Sequence, residues 1–210
     1  MKCTVCNARR PRRHCPGLRS DICPACCGSE RENSIACPVD CEYLIEAQAH
    51  ERPRQLDPAS APNPDIRITD EFIAKNGLLG EFLWHEVFEA ASADSSAVDS
   101  DVREALDGLT RTYRTLESGL YYESRPENLI AARIYDRVRE SIDKFRETVR
   151  QREGMTSIRD ADVLGMLVFL QRLHWQVNNG RQRGRAFMRL LGSRLRAHGH
   201  EAHISTQTSA

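Results

Sequence analysis

The chain has no cysteine after Cys41, although eight of its residues are cysteines. Aromatic residues are sparse at 6%. No apolar run is long enough to span a membrane. The start, Met1-Lys2-Cys3-Thr4, lacks the apolar core of a secretory signal. The patterns GxxxxGKS/T, GxGxxG and GxSxG are absent, which removes the usual signs of a phosphate loop, a dinucleotide fold and a hydrolase elbow. A formal net charge of zero argues against a protein that coats nucleic acid along its whole length. With 40% hydrophobic and 29% charged residues over 210 positions, the expectation is a cytoplasmic protein with one ordinary domain and one small one. In that compartment thiols stay reduced, so disulfides explain the cysteines poorly.

The cysteines run Cys3-x2-Cys6, Cys15, Cys23-x2-Cys26-Cys27 and Cys37-x3-Cys41. A CxxC step holds two sulfurs on one tight turn, and a second pair completes a tetrahedron. Cys3, Cys6, Cys23 and Cys26 have the spacing of a structural zinc site. Cys15, Cys27, Cys37 and Cys41 remain as a second set of four. Adjacent side chains point apart, so Cys26 and Cys27 can serve different ions. The partition stays open at two points: His14 can stand in for Cys15, and Cys26 can exchange roles with Cys27. Two zinc ions filled by eight thiolates leave no open coordination position, which argues against a catalytic metal.

Interleaved ligands over Cys3–Cys41 resemble the small cross-brace zinc fingers of the HIT, MYND and B-box types. The resemblance implies two structural zinc ions in one compact module. The chain departs from the HIT and MYND patterns in lacking their late histidine and their CxxC-x4-CxxC centre. Residues 66–210 resemble no family. A stretch of about 45 residues buries too little apolar surface to fold unaided, so metal is expected to hold the module.

Four regions are expected: a Cys-rich zinc-binding module at 1–51 with a short helix at its end, a proline-rich linker at 52–65, an all-α domain at 66–198 and a flexible tail at 199–210. The fold class is therefore mainly α, a two-zinc module followed by a bundle of about five helices. The spacing predicts a helix over 69–93, weakened at Gly77 and Gly80. A second carries Val102, Leu106, Leu109, Tyr113, Leu116 and Leu120 on one stripe. A third is expected to begin at Pro126. A fourth, around 158–173, is apolar nearly all round and belongs at the centre of the bundle. A fifth is expected over 184–198.

Charge is uneven along the chain. Arg9, Arg10, Arg12 and Arg13 sit on a loop between presumed ligands, and Arg181, Arg183 and Arg185 open a second basic cluster that runs to Arg196. Residues 70–124 between them are acidic. Both basic clusters suit phosphate contact, and both also suit solvated surfaces. The leading expectation is a non-enzymatic zinc-binding protein that acts through contact with a protein partner. One alternative is a nucleic-acid-binding factor using Arg9–Arg13 and the Arg181–Arg196 helix. Another is a metal-dependent enzyme with a site at Glu81, His85 and Glu89, which share one helix face.

Overall fold

The computed structural model describes residues 1–50, 55–153 and 158–195. The fold is mainly α, and the chain divides into two compact units. The first comprises Met1–Gln55 together with Asn178–Ala186; the second comprises Leu56–Val177 and Phe187–Ala210.

In the first unit, β1 (Arg13–Cys15) pairs antiparallel with β2 (Ser20–Ile22), placing Arg13 opposite Ile22 and Cys15 opposite Ser20. Arg19 enters β2 with a φ of 51°, the left-handed conformation that a tight reversal requires. Helix α1 (Pro24–Glu30) starts with proline in its first turn, where the missing N–H costs nothing, and the Cys23 sulfur accepts the Cys26 N–H as a cap. Helix α2 (Glu42–Ala49) follows Cys41. The buried core of this unit is mostly sulfur; its fully buried aliphatic side chains are Ile22, Ile35 and Leu44.

The second unit is a helical bundle. Thr69 caps α3 (Asp70–Lys75) by accepting the Phe72 N–H. The helix expected over 69–93 is two helices, because the chain turns at Asn76 before α4 (Gly77–Ser92). Helix α5 (Asp99–Glu117) packs against α6 (Leu129–Glu153) and α7 (Asp160–Val177), and α4 packs against the same two. Among the described residues a further helix, α8, covers 186–195. Leu83, Val87, Leu106, Leu109, Val138 and Leu167 form the centre of the core. As the all-round apolar pattern predicts, α7 is buried along most of its length.

Several expectations change in detail. Pro126 does not open the third helix; Asn128 does, its side chain accepting the N–H groups of Ile130 and Ala131. Pro126 instead lies in the preceding extended stretch, where its ring approaches Gly108 of α5. Leu120 falls beyond the end of α5 and is exposed. In the region expected as a linker, residues 51–54 lie outside the described residues, whereas the chain from Leu56 belongs to the second unit. There Arg172 of α7 donates to the carbonyls of Pro62, Asn63 and Ile66 at 2.6–3.1 Å, and Arg114 of α5 pairs with Asp65. Prolines limit this stretch to one 3₁₀ turn at Pro58–Ser60, and two arginines hold the rest of it. The expected tail at 199–210, and Arg196, lie outside the described residues.

Candidate metal centre

The turn Cys3–Asn7 is closed by Asn7 N–H donating to the Cys3 carbonyl at 2.8 Å, with Asn7 in the left-handed region at φ 51°. Tight reversal of this kind turns both CxxC sulfurs inward and points backbone N–H groups at them. Cys3 Sγ accepts the Cys23 N–H at 3.2 Å, and Cys23 Sγ accepts the Cys26 N–H at 3.4 Å. The sulfurs of Cys3, Cys6, Cys23 and Cys26 all lie within 4.8 Å of one another. A tetrahedral ion with bonds of about 2.3 Å needs sulfurs about 3.8 Å apart, so small contractions complete the site. Among the described residues this is the only group of metal-ligating side chains gathered so closely.

The electrostatics of the tetrad are those of a cation site. Burial pushes the Cys3 thiol up, but backbone N–H groups of Cys6, Cys23 and Val5 outweigh it and bring the thiol down to about 6. Cys6 is lowered by the N–H groups of Arg9 and Ala8. Cys26 goes the other way, to about 12, because it shares a proton with Cys23 and is crowded by burial and by the other sulfurs. Four thiolates in so small a volume repel one another, and a soft divalent cation removes the conflict by displacing the shared proton. The residues therefore fit a structural ion with no open position.

The remaining cysteines gather in the same unit. Cys15, Cys27, Cys37 and Cys41 all line one small cavity of about 10 Å³, a volume near that of a single water or ion. Cys27 Sγ accepts from Arg13 Nη1 at 3.4 Å, with Arg31 Nη2 at 3.9 Å. The Arg13 guanidinium also lies 4.5 Å from the centre of the Tyr43 ring. Cys37 is raised by burial and by the charges of Cys41 and Cys15, against the N–H of Glu32. His14, the alternative to Cys15, is exposed and lies 3.1 Å from Asp21, whereas Cys15 is buried.

The basic residues separate by surroundings. Arg9, Arg10 and Arg12 are exposed; Arg13 is turned inward onto Cys27. Arg181 and Arg185 are half-buried and bonded within the first unit: Arg181 Nη1 to the Arg31 carbonyl, the Arg185 N–H to Glu32. Arg183 keeps an exposed side chain. The basic helix expected from Gly184 begins instead at residue 186, so Arg181, Arg183 and Arg185 lie on a non-helical segment of the cysteine unit. Glu81, His85 and Glu89 do not come together as metal ligands among the described residues. Glu81 pairs with Arg194 at 2.5 Å, and His85 with Glu86 at 3.4 Å. An open cleft of about 460 Å³ lies elsewhere in the second unit, lined by Leu56, Pro58, Ala61, Pro64, Arg172 and Trp175.

Sequence reasoning missed Arg31, Glu32 and Asn179. Glu32 is a fully buried acid that accepts from Asn179 Nδ2 at 2.7 Å. Its pairing spans most of the chain, and no local spacing announces it. Comparison with protein-family models, curated proteins and solved structures gives no match for this chain.

Proposed function

We propose that the first unit is a zinc-organised binding module that takes two Zn²⁺ ions and serves contact with another macromolecule, a protein in the first instance, within the cytoplasm. The observation that carries this is the Cys3/Cys6/Cys23/Cys26 tetrad, whose four sulfurs supply every position of a tetrahedral site. Soft thiolates in a closed set favour zinc, which has no redox chemistry and no need of a further ligand. The second ion belongs to Cys15, Cys27, Cys37 and Cys41. Two zinc–tetrathiolate sites carry about four negative charges together, and Arg13 and Arg31, both directed at Cys27, offset part of the second.

A nucleic-acid partner is the second reading, and it is favoured by Arg9, Arg10 and Arg12, which stand exposed beside the tetrad. Native mass spectrometry and elemental analysis of the full chain test the metal reading: two zinc ions are expected, falling to one in both Cys23→Ser and Cys41→Ser. A chain that retains no zinc under reducing conditions overturns it. Capture of partners with and without nuclease treatment separates the two partner classes. A nucleic-acid shift that weakens steeply with salt and disappears when Arg9, Arg10 and Arg12 become alanine selects the second reading.

A further inference from the structure

The Asn178–Ala186 segment belongs to the cysteine unit, and four of its hydrogen bonds to that unit meet at two residues. Glu32 is 0% exposed and holds a φ of 54°, a backbone conformation that a residue with a Cβ keeps only when surrounding contacts impose it. Its carboxylate accepts Asn179 Nδ2 at 2.7 Å and the Arg185 N–H at 3.1 Å. Its carbonyl accepts the Arg183 N–H at 2.7 Å. One residue earlier, the Arg31 carbonyl accepts Arg181 Nη1 at 3.0 Å. A buried carboxylate is tolerated only among such donors.

Arg31 and Glu32 also face the second thiolate set. Arg31 Nη2 lies 3.9 Å from Cys27 Sγ, and the backbone N–H of Glu32 favours the Cys37 thiolate against its burial. The pair therefore meets the second thiolate set through Arg31 and Cys27 on one side and residues 179–185 on the other. An ion that fixes Cys27 and Cys37 fixes the backbone at 31–32, and with it the left-handed turn that aims the Glu32 carboxylate. The segment is shaped to meet it: the Arg181 N–H donates to Asn179 Oδ1 at 3.1 Å and the Gly184 N–H to the Arg181 carbonyl at 3.0 Å. Gly184 leaves no room for a side chain, since a Cβ there would stand 2.6 Å from Asn179 Oδ1.

We infer that filling of the Cys15/Cys27/Cys37/Cys41 set and seating of Asn178–Ala186 on Arg31–Glu32 are one coupled equilibrium, which makes the segment a metal-dependent clasp. The inference rests on the two-ion reading above. Coupling of this kind is reciprocal: loss of the clasp's bonds weakens the second ion, and loss of the second ion frees the clasp.

The test uses the full chain, zinc competition with a chromogenic chelator and amide hydrogen exchange. Glu32→Gln and the milder Asn179→Ala each remove part of a hydrogen bond to a charged group, so the second zinc is expected to dissociate about tenfold more readily while the first is unchanged. In Cys41→Ser, which leaves one ion, exchange at the Arg183 and Arg185 amides is expected to rise about tenfold or more over the wild type. Unchanged competition in both variants, or unchanged protection of those amides in the one-ion protein, overturns the clasp and leaves two-ion binding intact. Fewer than two zinc ions in the wild type refutes the two-ion reading itself.

Discussion

Removal of metal under reducing conditions is the perturbation whose outcome the structure constrains most. The first unit has Ile22, Ile35 and Leu44 as its fully buried aliphatic side chains, at 1%, 3% and 1% exposure. Burying such a side chain contributes about 1.5–3 kcal/mol, so the three supply roughly 5–9 kcal/mol before any cost of ordering the chain. A structural zinc site contributes about 10–16 kcal/mol of apparent binding free energy. One ion thus outweighs the whole aliphatic core of the unit, and exhaustive chelation should unfold it. Circular dichroism will register little, because α1 and α2 hold 7 and 8 residues against 16, 19, 25 and 18 in α4, α5, α6 and α7. Site-resolved amide exchange is the suitable assay. The amides of β1, β2 and α1 should lose protection on chelation and regain it on adding zinc, while α5 and α7 stay protected throughout. Persistent protection of Arg13–Cys15 and Ser20–Ile22 in metal-free, reduced protein refutes the argument that sulfur and metal stand in for a core.

Two predictions concern the helical unit. A Cβ at Gly165 would stand 2.4 Å from the Phe72 ring, so Gly165→Ala should force α3 off α7 and lower stability by about 1–3 kcal/mol, read as a shift in denaturation midpoint; Gly77→Ala at the start of α4, with nothing within 4 Å, is the control expected not to lower the midpoint. His174 is buried, its Nε2 3.0 Å from the Asp99 carbonyl, and burial holds it down at about 4 against an ordinary value near 6.5. The unfolded chain therefore takes up the proton first as pH falls, so stability is full above pH 6.5, declines between 6.5 and 4, and is about 2 kcal/mol lower at pH 5. Denaturant titrations at pH 7.5 and 5 check this, and a His174→Gln variant with an unchanged pH slope would show that the loss arises elsewhere.

What could be read from the chain alone follows the range of the forces involved. The CxxC turns are local, so Cys3, Cys6, Cys23 and Cys26 were recognisable from spacing. The stripe from Val102 to Tyr113 was equally legible, since helical periodicity needs no partner to declare itself. The all-round apolar character of α7 likewise predicted its burial. The proline-rich stretch was misleading because composition registers that prolines forbid helix, not that Arg172 will collect three carbonyls from it. Pro126 suited a first helical turn in the sequence, yet Asn128 supplies a better cap. Gly165 and Gly108 were silent because their use lies in the close approach of Phe72 and Ser124. Glu32 was silent for the same reason at longer range: its donors lie 147 and 153 positions away.

That separation sets a timetable for synthesis. A ribosome adds about 5–20 residues each second, so Glu32 emerges roughly 7–30 s before Asn179 and Arg185. All eight thiols are out before either donor to Glu32 has been translated. The last bonds to Glu32 close only on a chain that is nearly finished.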